Sequence, residues 1–570
     1  MSEGSENNQA FCDRQPVVQN VQIQNLGFIF VLDFKFNIHQ ASVNAESFFG
    51  LKCSQLVQKK ITDFLDPKIT EIIEQRIRLG ELQYLNGMVI LLKGSSEVKS
   101  FSASFFSFES YWIMELEFIP EGFLDFSELI KKNKMGHLSL QLKHSVDLAE
   151  MCAKTVSELK SILNIDKVMI YKFDKSWHGT VLAEAMESDM DSYEGLKFPS
   201  TDIPEPARRL YFSSPVRMIT GLDEPAVPIE PAVNPLTSQP SDLSKCILRG
   251  VNAVHLEYLK NMKVASSISA SIMRDGALWG LIAFHHRSKK TLSSSVRNAI
   301  KNFAESFSSH LLLLEQRDKA VNLSVVDKFR ELIFSTSMNE QNPLSVFSSQ
   351  IGILSDAMNA QGMAFYAEGR WVVWGSVPVQ AELDLLAEWL RKHISEMVYC
   401  VDNLSADYDG ALSIKDTASG LIAASTLGVF EEMILWFRPE ESRFVKWGGD
   451  PSQTVHFGTD KKVYHPRESF KTWKEAVKSH SVPWKRSEVN AASKIGKIFS
   501  ETLHDFRTRK LRVLSGLLPI CSYCKKIRDE NDSWRVMEEY IQKRSKAQFS
   551  HGYCPDCYKK ALKETGLEES

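Results

Sequence analysis

The chain has 570 residues, 43% of them apolar and 24% charged, enough for roughly three to four domains of about 150 residues each. Its formal net charge of -3 excludes a generally basic nucleic-acid binder and a polybasic membrane-surface protein. No stretch approaches the roughly 18 to 20 apolar residues that cross a bilayer, and the polar start MSEGSENNQA is not a signal peptide, so the reading is a cytoplasmic protein with neither membrane nor nucleic acid as partner.

Taken in order, residues 1–20 are polar and irregular and contain Cys12 in CDRQP. From this segment alone an incidental thiol near a terminus accounts for it. Residues 21–128 alternate and are β-rich: GFIFVLDFKFNIHQAS reads as a hairpin, and NGMVILLKG, FSASFFSF and WIMELEFI as further strands. SQLVQKKITDFLDPKITEIIEQRIRLG between them carries helical spacing. This order favours a sheet with helices on one side, and the stretch resembles a small sensory domain of the PAS type.

Residues 129–315 form a second α+β unit. An amphipathic helix over LKHSVDLAEMCAKTVSELKSIL precedes the strand KVMIYKFD, and a helix over VHLEYLKNM precedes the strands SISASIM and LWGLIAFHH. Between them lies FPSTDIPEPARRLYFSSPVR. A residue before proline avoids the helical region, so Ile203-Pro204 holds Asp202 on an extended or turn backbone and its carboxylate is expected to project from a loop. Arg208, Arg209 and Arg217 add planar forks suited to carboxylates or phosphates. On these residues alone a Pro-rich surface turn serves equally well. The segment DEPAVPIEPAVNPLTSQP exceeds the usual connection length, which points to a purpose.

A mostly helical stretch over residues 293–337 leads into a third unit, residues 316–484, with the same helix-then-strand order. The second and third units read as distant structural repeats. The third contains a long insertion at about 436–470. In the helical linker 485–515, Ile495, Phe499, Leu503 and Phe506 form one apolar stripe; it suits a parallel coiled coil and hence a homodimer, or packing on its own domain. Residues 516–570 hold Cys521, Cys524, Cys554 and Cys557 as two C-x-x-C pairs. Four such thiolates converge on a structural Zn²⁺ in a zinc-ribbon-like module, with a redox dithiol as the alternative.

CDRQP, FPSTDIP, LRGVNAVHLEYLKNM, SISASIM with LWGLIAFHH, WFRPE with WGGDP, and HPRESF occur in this order. Together they resemble a bacterial phytochrome, a red/far-red photoreceptor with consecutive PAS, GAF and PHY domains, over residues 8–510. The resemblance implies covalent biliverdin IXα on Cys12, because His255 is flanked by Val254 and Leu256 and not by the cysteine that plant-type members use. It implies that Arg217, Arg249, Ser267 and Ser269 clamp the two propionates and that the Asp202 carbonyl with His255 meets the pyrrole N–H groups. His285 would meet the terminal-ring carbonyl, within aromatic walls of Tyr171, Phe198, Tyr211 and Tyr258. The loop near 223–240 matches the lasso that admits the N-terminal segment. The insertion matches the PHY tongue, in which Arg467 pairs with Asp202 and is exchanged for Ser469 after photoconversion.

Three departures stand out: IQNLG at 23–27 where I-Q-P-H-G is common, Asn252-Ala253 in place of Ser-Pro, and Phe284 where a Cys often precedes the His pair. Phe284 is expected to alter pocket volume. About 60 residues after the linker hold no phospho-acceptor helix and no ATP-binding Gly-rich domain, so the expectation is a non-enzymatic sensor acting through the Cys-rich module on a downstream signalling protein. The alternative is a light-independent tetrapyrrole or haem-binding sensor or scaffold.

Overall fold

The computed structural model describes residues 21–119, 126–337, 343–425, 430–441, 443–451, 455–457, 464–514, 518–529 and 531–565; Cys12 lies outside them. The chain forms two compact units. One runs to Arg317 and takes in Arg443–Val477; the other comprises Asp318–Ser442 and Lys478–Ser570.

In the first domain, β1 (Gln22–Ile23), β2 (Gly27–Leu32), β3 (Ile38–Ser42), β4 (Met88–Lys93), β5 (Val98–Ser107) and β6 (Trp112–Phe118) form an antiparallel sheet. The continuous apolar run of β2 is explained by cover on both faces. Phe28, Phe30 and Leu32 enter one core, and Ile29 and Val31 enter another, as expected of a doubly buried strand. The turn to β3 closes on Asp33, whose Oδ1 accepts from Lys35 N at 2.8 Å and Asn37 N at 2.9 Å. The expected single helix before β4 is broken. Asp66 is extended (ψ 137°) ahead of Pro67 and caps the helix Pro67–Arg78 by accepting from Lys68 N, which leaves only short helical turns before it.

The second domain contributes β7 (Lys167–Phe173), β8 (Gly179–Met186), β9 (Lys197–Phe198), β10 (Val216–Thr220), β11 (Val227–Glu230), β12 (Ser266–Arg274) and β13 (Ala277–His286). The Pro-rich loop supplies β11, which inserts between β1 and β3 of the first domain's sheet. The remaining strands run β10-β12-β13-β7-β8-β9 and continue into β19 (Arg443–Gly448) and β22 (Thr472–Val477) of the insertion. Trp447 pairs with Lys197 at the junction.

Strand alternation divides this sheet into two faces. Met218, Ile268, Ala270, Ile282, Phe284, Val168 and Ile170 pack into one core with the helices Leu148–Leu163 and Ser294–Ser337. Phe284 is fully buried there. It lies on the face opposite the pocket, so the expectation that it changes pocket volume is not met.

The third domain's β14 (Gly362–Ala367), β15 (Arg370–Gly375), β16 (Val398–Val401), β17 (Gly420–Ser425) and β18 (Met433–Arg438) are ordered β16-β17-β18-β14-β15, all antiparallel. That order matches β10-β12-β13-β7-β8 of the second domain strand for strand, which gives the repeat its structural content. The helix Arg486–Leu514 places Ile495, Phe499 and Leu503 in the third domain's own core. The stripe read as a coiled-coil seam is therefore used within the chain. In the C-terminal module only Ile527, Asp529 and Tyr540 are buried among the described residues.

Candidate functional site

The second face of the β10–β8 sheet is a cleft. Arg217 and Ile219 of β10, Ser267 and Ser269 of β12, Leu281, Ala283 and His285 of β13, and Met169 and Tyr171 of β7 line it at every second position. Cross-strand register places Arg217 opposite Ser269, and Ser267 opposite His285. The helix Ala253–Asn261 closes it with His255 and Tyr258. Asn252 caps that helix by accepting from Val254 N at 2.9 Å, so this departure from Ser-Pro preserves the helix start. Phe198, Asp202, Tyr211 and Arg249 also line the cleft, so the sequence-predicted bilin residues do so apart from Cys12, which lies outside the described residues. Alternation from Tyr171 and His285 also identifies Met169, Leu281 and Ala283, which motif reading missed. Gly179 makes room for Tyr171: a Cβ there would lie 1.7 Å from the phenol ring.

One end of the cleft is cationic. Arg217 donates to Ile247 O (2.8 Å), Arg249 O (2.7 Å) and Gly250 O (3.1 Å), and Arg249 donates to Ser244 O. Among the described residues, these two guanidiniums donate to main-chain carbonyls and form no ion pair. Burial and the neighbouring Arg249 charge push Arg217 down to about 9; burial likewise lowers Arg249. Two buried cations that no carboxylate pairs directly call for an anionic ligand. Tyr211 Oη and Ser269 Oγ, 3.3 Å apart, lie between them and the far wall.

The other end is neutral. Burial, then Lys167 and His255, pushes His285 down to about 3. Burial, then Arg217, takes His255 to about 4. Among the described residues His285 Nδ1 is buried without a hydrogen-bond partner, an orphan that a ligand polar group would satisfy. Burial also raises the Tyr171, Tyr211 and Tyr258 phenols, keeping them protonated. The lining suits a ligand that carries acidic groups for the two arginines and a polar group for His285.

Asp202 closes the site toward the insertion. It ends a 3-10 turn, Ser200–Asp202, and its side chain is 5% exposed, so the carboxylate does not project into solvent. Oδ2 pairs with Arg467 Nη2 and accepts from Tyr258 Oη at 2.8 Å. Burial raises the Asp202 carboxyl, while Arg467 and the Tyr258 bond act against it; burial opposes the Arg467 charge, but Asp202 beside it holds the guanidinium above its usual value. Arg467 Nε and Nη1 remain unpartnered among the described residues. Arg208 braces the turn by donating to Ile203 O (2.6 Å) and Ser200 O (3.4 Å), whereas Arg209 is exposed and pairs with Glu205. Ser469 is exposed and outside the cleft; its Oγ accepts from Lys471 N.

The glycines of WGGDP explain how the insertion seats. A Cβ on Gly448 would lie 2.8 Å from the Phe198 ring, and Gly449 adopts φ +94° with its Cβ direction 2.3 Å from Ser469 O. Only a residue without a side chain lets this backbone pass there. Arg467 stacks between Phe198 and Phe470, 5.4 and 5.0 Å from their centroids.

At the C-terminus each cysteine pair associates internally. The N–H groups of Cys524 and Tyr523 lower Cys521, and those of Cys557 and Asp556 lower Cys554. Among the described residues, the metal-capable groups within mutual ligand reach comprise Glu46, Cys53 and Glu230 only; the two terminal pairs are not drawn together.

Three family models match in sequence: PAS fold at residues 12–119, GAF domain at 147–311 and phytochrome region at 326–507. The chain is 34% identical over 488 residues to cyanobacterial phytochrome B of Nostoc sp., covering 84% of this chain and 64% of that protein. It is 27% identical over 495 residues to a bacteriophytochrome of Pseudomonas aeruginosa, covering 85% and 65%. The chain thus spans about two thirds of the length of these relatives. Among solved structures, a bacteriophytochrome from R. palustris superposes with a TM-score of 0.79 at 29% identity, covering 87% of this chain and 99% of that one. The photosensory core module of Stigmatella aurantiaca phytochrome gives 0.75 at 32%, covering 87% and 98%. Among the described residues no helix is long and apolar enough to cross a membrane.

Proposed function

The chain belongs to the phytochrome family, and from that premise we propose that it is a red/far-red photoreceptor that holds biliverdin IXα in the GAF cleft through a thioether to Cys12. One observation carries the reading: among the described residues two buried arginines at one end of the cleft form no ion pair and bond only to main-chain carbonyls, and the buried His285 Nδ1 lacks a partner at the other. The bound bilin supplies light absorption and a ring rotation. Arg217 and Arg249 bind the propionates, with Ser267 and Ser269 donating to them. The Asp202 carbonyl and His255 face the pyrrole N–H groups, and neutral His285 meets the terminal-ring carbonyl. Tyr171, Phe198, Tyr211 and Tyr258 exclude water around that ring.

The switch rests on Asp202. Its carboxylate accepts from Arg467 in the state described, and after photoconversion it accepts from Ser469 while the tongue leaves its hairpin form. Asp202→Ala blocks the second state. Signalling passes from the PHY domain to the Cys-rich module and a downstream protein, in a cytoplasmic homodimer. We read the four terminal cysteines as a zinc site, favoured by the N–H groups that stabilise the Cys521 and Cys554 thiolates; metal analysis should find one zinc per chain, lost in Cys521→Ser.

The deciding experiment is the absorption spectrum of biliverdin-assembled protein after red and then far-red light. Reversible exchange between red and far-red bands is expected. Bound pigment that does not respond would leave a light-independent tetrapyrrole binder. Pigment still attached after denaturation of Cys12→Ala would refute the attachment site.

A further inference from the structure

The two arginines draw their orientation from residues 244–250, and that segment is held largely by the other domain. Glu115 of β6 accepts from Leu248 N with Oε1 (2.6 Å) and from Ile247 N with Oε2 (3.2 Å). Gln24 spans the same segment. Its main-chain N–H donates to Leu248 O at 2.7 Å. Its Nε2 lies 3.1, 3.2 and 3.4 Å from Met218 O, Ile247 O and Arg249 O, and its Oε1 accepts from Thr220 N at the end of the strand that carries Arg217. Gly250 N donates to Gln22 O at 2.8 Å, and a Cβ on Gly250 would lie 2.7 Å from that oxygen. The carbonyls that receive Arg217, those of Ile247, Arg249 and Gly250, therefore belong to a strip whose hydrogen bonds run into the PAS domain.

Glu115 is 1% exposed, and a buried carboxylate is costly unless it is used. Around it stand Glu117, Arg297 of the helix Ser294–Ser337, Cys246, Arg217 and Arg249. Arg297 is taken by Glu117 and by Leu292 O. That leaves the strip's two N–H groups as the direct partners of Glu115.

We propose that Glu115 and Gln24 are positioning residues for the anion end of the cleft: the PAS domain sets where the two guanidiniums point, and so selects a ligand carrying two carboxylates. This rests on the bilin reading above. Glu115 touches no ligand; it acts through the strip on Arg217 and Arg249. Because both Glu115 oxygens accept from the strip, whereas the amide of Gln offers one acceptor and turns a donor toward the second N–H, Glu115→Gln should weaken biliverdin binding about tenfold.

The test is a double-mutant cycle on the full chain, with biliverdin affinity measured by fluorescence quenching before the thioether forms. Glu115→Gln is made alone and in an Arg217→Gln/Arg249→Gln background, and the apoprotein melting temperature is recorded for each. The expected result is about a tenfold loss alone and less than about twofold in the background without the two arginines. Equal losses in both backgrounds, or no loss in either, overturn the proposal. If Glu115→Gln fails to fold, Gln24→Leu carries the same cycle and the same criterion. Unmodified protein that does not bind biliverdin would instead overturn the bilin reading, and this inference with it.

Discussion

The GAF and PHY domains build the same five-stranded antiparallel sheet in the same order, yet only one of them offers a site. In the PHY domain both faces are apolar. Met363, Phe365, Ile434 and Trp436 point into one core, and Leu421, Ala423, Leu435 and Phe437 into the other. In the GAF domain one face is equally apolar, with Val168, Ile170, Ile282 and Phe284. The other carries Arg217, Ser267, Ser269, His285 and Tyr171. Sheet topology therefore does not make the pocket. It is made by exchanging one face's core for polar side chains, at a cost in burial that a ligand can recover.

The comparison breaks most visibly where a face is a core. Leu435→Ala should destabilise the PHY domain by about 2–5 kcal/mol, seen in thermal melts, while biliverdin affinity stays unchanged; reduced affinity would mean that the two sheets are not separate in function. Next in size is Arg217→Gln. It should lower biliverdin affinity about 10- to 100-fold, a loss of roughly 1.5–3 kcal/mol, with little change in melting. A large fall in stability with affinity intact would make Arg217 a structural residue.

Gly448→Ala sharpens the comparison at the sheet's far edge, where the tongue extends the GAF strands. The new methyl meets the Phe198 ring at 2.8 Å, an overpacking cost of about 1–3 kcal/mol. The docked hairpin should be weakened and the red-absorbing spectrum blunted, with pigment still bound. An unchanged spectrum would mean that the tongue can sit elsewhere.

The smallest effect is in pH dependence. His255 and His285, lowered to about 4 and about 3, are neutral when folded and titrate near 6.5 when unfolded. Between those values the unfolded chain binds more protons, so their contribution to stability is lost as pH falls below about 6.5. Glu115, raised to about 8 by burial and by Glu117, acts in the opposite sense: its contribution declines as pH rises from about 4.5 toward 8. Replacing His285 by Gln isolates one imidazole. The fall in apoprotein melting temperature from pH 7 to pH 5 should become shallower, and an identical slope would show that His285 is already protonated or exposed.

Much of this molecule was legible along the chain. Apolar runs and alternation located the strands from GFIFVL to LWGLIAFHH, and the GAF residues that the resemblance assigned to the bilin line the cleft, whereas Arg208, Arg209 and Phe284 do not. Local patterning suffices where the physics is local: strand period, proline before a helix, a capping side chain. It failed where a residue's meaning depends on what lies across from it. Phe284 and His285 are neighbours in the chain, and in a strand buried on both sides nothing local says which face is core. The stripe of Ile495, Phe499 and Leu503 has the spacing of a coiled coil, but the PHY sheet takes it into its own core. Glu115 and Leu248 are separated by 133 residues, and Asp202 and Arg467 by 265; no periodicity spans such gaps. The sequence alone determined the elements, the family and the chemistry available to the cleft. Tertiary structure alone decided which face became pocket, which arginines stay without an ion pair and which domain holds the clamp, because those outcomes depend on long-range packing that no short stretch encodes.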